Sequence, residues 1–136
     1  MQVSMADFLG KVGRMRKTQP KIDALKANDS VVLRTILQSV FDPNIIWLLP
    51  EGIPPYKPNK LVDQEGVLIS DIRYIKYFIK GFYDLPDAKR ESMFIEFLER
   101  VCPEDAELLC SIKEKKLPTP GITLEQVIAA LPGLIP

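Results

Sequence analysis

Val32-Leu33-Arg34-Thr35-Ile36-Leu37-Gln38-Ser39-Val40-Phe41-Asp42-Pro43 decides the fold class. Val32, Leu33, Ile36, Leu37, Val40 and Phe41 recur in steps of three and four, which gathers them on one face of an α-helix but scatters them over both faces of a strand. Asp29 or Ser30 offers a side-chain oxygen to the first unpaired N–H groups. Asp42-Pro43 ends the helix, because proline disfavours helical backbone in the residue before it. So wide an apolar stripe needs a partner surface, and the flanking sequence supplies further helices.

Toward the N-terminus, Ser4 followed by Asp7 has the form of a capping box, and Phe8, Leu9, Val12 and Met15 predict a first helix through Arg16. Pro20 starts a short second helix carrying Ile22, Ala24 and Leu25 and ending near Asn28. Beyond the third helix, Pro43, Pro50, Pro54, Pro55 and Pro58 predict an extended crossing segment over about 43–60, anchored by Trp47. A Pro-rich ligand for another domain is the alternative there.

Ile72, Ile75 and Ile79, interleaved with Tyr74, Tyr77, Phe78, Phe82 and Tyr83, predict an aromatic-rich helix ending before Pro86. Its rings read as core rather than as stacking platforms, since burial supplies most of an aromatic ring's energy. Pro86 and Pro103 stand where an N1 proline belongs. The helices they open carry Met93, Phe94, Phe97, Leu98 and Val101, then Ala106, Leu108, Leu109 and Ile112. Thr123 and Gln126 form a second capping box before the closing phrase Leu131-Pro132-Gly133-Leu134-Ile135-Pro136, packed through Val127, Leu131 and Leu134. The expectation is all-α: a compact bundle of about seven helices in a single domain over 1–136.

No apolar run approaches the roughly 20 residues of a membrane-spanning helix. Met1 to Leu9 lacks the basic-then-apolar pattern of a secretory signal. No membrane partner and a cytoplasmic location are expected. The chain has no histidine, which removes Ser/His and Cys/His nucleophile pairs. Cys102 and Cys110 cannot complete a four-ligand metal site, and on a helix they lie about 12 Å apart, too far for a bridge. They read as reduced core thiols. The sequence holds neither a Gly-rich phosphate loop nor the Lys-x-Asp-Gly motif of nucleotidyltransferases. No catalytic residue, metal or cofactor is expected.

The 18 basic and 18 acidic residues cancel, which argues against a strongly electrostatic polyanion binder, so distribution matters more than the total. Within the first 26 residues, Lys11, Arg14, Arg16, Lys17, Lys21 and Lys26 face only Asp7 and Asp23. Lys11, Arg14, Arg16 and Lys17 read either as a phosphate-facing patch or as a solvated face. Lys113, Lys115 and Lys116 precede the turn Pro120-Gly121-Ile122-Thr123. A turn feeding a helix start presents backbone N–H groups to an anion.

Two stretches resemble the N-terminal DNA-binding domain of phage ATP-dependent DNA ligases. One is Leu25-Lys26-Ala27-Asn28-Asp29 running into Leu33 to Gln38 and Phe41-Asp42-Pro43-Asn44-Ile45. The other is Glu104-Asp105-Ala106-Glu107-Leu108-Leu109, then Lys115-Lys116-Leu117, Gly121 and the closing Leu131 to Pro136. The chain also resembles short uncharacterised proteins of large tailed phages, through Pro-Pro-Tyr-Lys-Pro and Lys-Lys-Leu-Pro. The ligase resemblance implies a helical domain that grips duplex DNA over the minor groove through phosphates. It implies contacts from Lys115, Lys116, Gly121 and Thr123: lysines neutralise phosphates, Gly121 lets the backbone come close, and Thr123 offers a hydroxyl.

Three hypotheses follow. The first is a non-catalytic duplex-DNA module, an accessory of replication or repair. The second is a protein-interaction adaptor for a phage or host replication or transcription protein such as a sliding clamp. Its candidate contacts are Phe8 and Leu9 within Met5 to Gly10, although both also fit the core of the first helix. The third is a piece of a longer ligase, which sequencing past Pro136 decides.

Overall fold

Two serines fix where the N-terminal helices begin. Ser4, in extended backbone, accepts the Asp7 N–H at 3.1 Å and starts α1 (Met5–Gly13). After α2 (Thr18–Ala27), Ser30 accepts the Leu33 N–H at 3.2 Å and starts α3 (Val31–Phe41). The computed structural model describes residues 3–61 and 63–136, so Met1 and Gln2 lie outside them. Next comes α4 (Val67–Asp71), which runs directly into a 3₁₀ helix, Ile72–Phe78. The chain closes with α5 (Asp87–Arg100), α6 (Pro103–Lys113) and α7 (Leu124–Ala130). Among the described residues there are seven α-helices and no strand, and the sheet-like pairing is one antiparallel bridge between Trp47 and Ile79. The fold is all-α.

Helix α6 lies at the centre, packed against α1, α3 and α5, while α2 packs on α7. Burial reaches most of the way round it: Ala106, Leu108, Leu109 and Ile112 are fully covered, and Cys110 is buried too. A helix wrapped on several sides needs apolar residues beyond one stripe, and Leu108-Leu109 supplies them. Phe78 and Phe94 meet edge to face at 5.2 Å and join the same core through Phe97. The closing Val127, Leu131 and Leu134 are buried as the sequence predicts.

The first turn of α6 also secures α1. Asp105 is fully buried, and its Oδ1 accepts the Ala6 N–H at 2.9 Å, an N–H that α1 cannot satisfy itself. Burial raises its pKa; the Ala6 N–H and the neighbouring Cys102 thiol pull the other way. Its Oδ2 has no hydrogen-bond partner. Because the folded pKa lies above the ordinary 3.8, the ionised carboxylate opposes folding at neutral pH. That opposition fades as pH falls through the folded pKa toward 3.8. Asp105→Asn, which keeps an acceptor and removes the charge, should match or exceed wild-type stability at pH 7 and lose the acid-side gain. Asp105→Ala should lose about 1–2 kcal/mol with the cap. Denaturant melts at pH 5 and pH 7 distinguish the two.

Several boundaries differ from the sequence expectation. The first helix stops at Gly13 rather than Arg16, and α2 begins at Thr18, so Pro20 falls within its first turn, where no N–H is required. Pro86 is the residue before α5 rather than its first. Only half of the first capping box forms, because the Asp7 carboxylate turns to Lys11 at 3.2 Å. Cys102 precedes α6 instead of sharing a helix face with Cys110, and both thiols are buried and free. Burial pushes the Cys102 thiol up to about 12.

The largest difference is at the aromatic stretch. In place of one α-helix through Tyr83, the chain makes a 3₁₀ helix that ends at Phe78, and Ile79 turns extended to pair with Trp47. A 3₁₀ helix has three residues per turn, and Ile72, Ile75 and Phe78, the residues it buries, repeat at that period. Leu48 N–H donates to the Phe78 carbonyl at 2.8 Å and Lys80 N–H to the Ile46 carbonyl at 2.9 Å, so the Pro-rich segment takes the bonds that a longer helix would have used. The core expectation holds for Phe78 and fails for Phe82 and Tyr83, which are 55% and 48% exposed.

Candidate nucleic-acid interface

Gly13 ends α1 and Gly121 ends the turn before α7, and the two backbones touch. A Cβ on Gly121 would collide with the Gly13 carbonyl oxygen, and one on Gly13 would come within 2.9 Å of the Pro120 carbonyl oxygen. Gly121 also has φ +119, which side-chain-bearing residues rarely adopt. Lys21, buried on α2, donates to the Gly121 carbonyl at 2.5 Å. The N-terminal basic stretch and the turn after α6, far apart in sequence, therefore share one edge of the fold.

Two of the three lysines before that turn, Lys113 and Lys115, face inward. The Lys113 side chain is 2% exposed and donates to the Pro50 carbonyl at 2.9 Å and to Glu114 Oε1 at 2.6 Å. Glu114 Oε1 accepts the Gly52 N–H as well, at 2.9 Å, and Lys113 and Gly52 hold its pKa below the ordinary carboxylate value. Lys115 Nζ donates to the Asp42 and Ile45 carbonyls at 2.7 and 3.0 Å, placing a cation where α3 ends and unpaired carbonyls gather. Desolvation lowers its pKa, with Asp42 opposing. Lys115 also sits at φ +64, a left-handed conformation held by these contacts. Both ammonium groups bind the crossing segment.

The remaining turn residues are committed to packing or capping. Gly121 does allow close backbone approach, but to Gly13. Thr123 completes its capping box: its hydroxyl accepts the Gln126 N–H at 3.3 Å, and Gln126 Oε1 accepts the Thr123 N–H at 3.1 Å. Lys116 is exposed.

On the N-terminal side Lys11, Arg14, Arg16 and Lys17 are all exposed. Lys11 pairs with Asp7. Arg14 lies over Gly10 in a cleft of about 200 Å³ between α1, α6 and the 117–119 turn, where Asp7, Glu104 and Glu107 temper its charge. Among the described residues Arg16, Lys17 and Lys116 form no ion pair. Leu9 is 3% exposed and Phe8 packs partly buried against the core, so both serve α1 packing. Among the described residues no cluster of three or more His, Cys, Asp or Glu could hold a metal, and no helix is long and apolar enough to cross a membrane.

The Pro-rich segment was the signal for the inward lysines. Proline donates no N–H, and extended backbone outside a sheet leaves its carbonyls open, so such a segment needs cationic donors from elsewhere. Bonds of other kinds tie the segment to α5: Glu99 Oε2 accepts the Lys57 N–H at 2.7 Å, and Asn59 donates to the Arg100 carbonyl at 3.0 Å. No curated protein matches the chain. Residues 8–119 match the model of a family of unknown function (DUF6433), and the chain belongs to that family.

Proposed function

We infer that the protein is a non-catalytic module that rests on duplex DNA through phosphates at the α1–α2 junction, as a cytoplasmic accessory of replication or repair. The observation that carries this is the exposure of Arg16 and Lys17 without carboxylate partners, beside Arg14 and on the edge that Gly13 and Gly121 close. The resemblance to ligase DNA-binding domains favours the same ligand. Lys116 is the exposed lysine of the turn and lies near Glu114, while Lys113, Lys115, Gly121 and Thr123 serve the scaffold. Phosphate contacts of this kind hold position without reading sequence.

The grip is weak. With about three phosphates neutralised, log K should fall against log salt with a slope of about −3. Anisotropy of a labelled duplex, titrated with salt from about 20 mM upward, measures the slope. Arg16→Ala/Lys17→Ala should flatten it by about 2. An undetectable complex at low salt, or one indifferent to salt, would sink the idea.

A further inference from the structure

The 3₁₀ helix carries a second surface, one that the duplex-DNA reading does not use. Three residues per turn divide it into three stripes. Ile72, Ile75 and Phe78 face the core, Arg73 and Lys76 form an exposed cationic stripe, and Tyr74 and Tyr77 form a half-buried aromatic one. At Gly81, φ +103 turns the chain, and Phe82 and Tyr83 come back against the same helix. Tyr83 stacks on Tyr77 with ring centroids 4.4 Å apart, and Tyr77 stacks on Tyr74 at 5.7 Å, both pairs inclined by 29°.

Cations interleave with these rings. Lys76 Nζ lies 5.6 Å from the Phe82 centroid, and Arg73 and Arg100 lie 5.3 and 5.0 Å from that of Tyr74. From Ile72 to Tyr83 the sequence has Arg73, Lys76 and Lys80 and no acidic residue. Asp71 is paired to Arg100 at 3.6 Å, and Asp84 is the flanking exposed acid. Phe82 and Tyr83 keep about half their surface in solvent although an apolar core lies beside them. Exposed rings at the end of a pre-stacked row, with Arg73, Lys76 and Lys80 outside any ion pair among the described residues, match a polymer that alternates flat bases with phosphates.

We propose that the Tyr74–Tyr77–Tyr83 row with Phe82 is a platform for single-stranded DNA, with bases stacking on Tyr83 and Phe82 and phosphates meeting Arg73, Lys76 and Lys80. Base stacking tolerates any sequence because every base has a π-face, so the platform holds a strand without selecting one. A duplex buries its bases and offers this surface only phosphates. The platform stands independently of the junction at Arg16 and Lys17.

The test uses the full chain and a fluorescein-labelled oligo(dT) of about 12 nucleotides at low salt. Phe82→Ala and Tyr83→Ala should each weaken binding by about tenfold, the effect of one stacked base, while Tyr83→Phe stays near wild type. Lys76→Gln/Lys80→Gln should reduce the salt slope, an arm that remains decisive if an aromatic variant misfolds. Arg16→Ala/Lys17→Ala should leave the aromatic-dependent part of oligo(dT) binding, the ratio between wild-type and Tyr83→Ala affinities, unchanged, which separates this platform from the duplex junction. An RNA U-tract should bind comparably, because stacking and phosphate contact ignore the 2′-position. The proposal is overturned if oligo(dT) does not bind, if binding survives both aromatic truncations, if the junction variant abolishes it equally, or if RNA binds while DNA does not.

Discussion

Gly121→Ala should lower stability by about 4 kcal/mol, combining a backbone conformation closed to side chains with a clash against rigid backbone. The contributions are separable. Strain alone costs about 1–3 kcal/mol, and forcing an extra methyl into a packed site costs about the same again. Relief by rotating a neighbouring side chain is ruled out, because the atom in the way is the Gly13 carbonyl oxygen. Gly133 is the internal control: it has φ +85, but a Cβ there meets nothing within 4 Å. Gly133→Ala should therefore show the strain component alone. Thermal denaturation of the two variants should place Gly121→Ala more than about 10 °C below wild type, with Gly133→Ala only a few degrees below. Equal melting temperatures would mean that the α1 and α7 ends of the fold do not touch as described.

Lys113→Ala is the second large effect, about 2–3 kcal/mol. It strands the Pro50 carbonyl and leaves Glu114 without its cation, and an unmet buried acceptor costs about 1–3 kcal/mol by itself. Lys113→Met, which keeps the stem and drops the charge, separates packing from hydrogen bonding. The pair also sets an acid limit. Lys113 and the Gly52 N–H depress the Glu114 pKa, so its stabilising contribution is complete above its ordinary value of 4.5 and disappears as pH falls through the lower folded value. This runs opposite to Asp105, whose raised pKa makes mild acid favourable. Wild type should thus hold or gain stability on going from pH 7 toward 4.5 and lose it below, and Lys113→Ala should show a smaller final loss, since the Gly52 N–H still depresses Glu114.

The helices were legible because they depend on local chemistry. Ser30, Asp42-Pro43, the Thr123–Gln126 box and N1 Pro103 act over three or four residues, and each does in the structure what it signals in the sequence. The aromatic stretch was misread because periods of 3.0 and 3.6 differ little over seven residues. What decides between them is the bridge to Trp47, which comes from a distant segment. The fates of the basic residues were hidden for the same reason. Arg16 and Lys113 look alike as sequence, yet one lies exposed in the bend between α1 and α2 and the other faces the carbonyls of a strap that crosses from residue 42 onward. Gly121 was expected, from the ligase resemblance, to approach a DNA phosphate, whereas what it approaches closely here is the backbone of Gly13, far away along the chain.

We propose a division of labour among the cations, in which Arg16 and Lys17 meet DNA while Lys113 and Lys115 hold the fold. Salt-titrated duplex binding of Arg16→Ala/Lys17→Ala and of Lys113→Met/Lys115→Met, each beside its own melting curve, tests it most directly. The junction variant should lose about two units of salt slope and keep its melting temperature, while the strap variant should melt lower and, at a temperature where it is folded, keep the wild-type slope. A strap variant that stays as stable as wild type and loses the salt-dependent binding would contradict the claim.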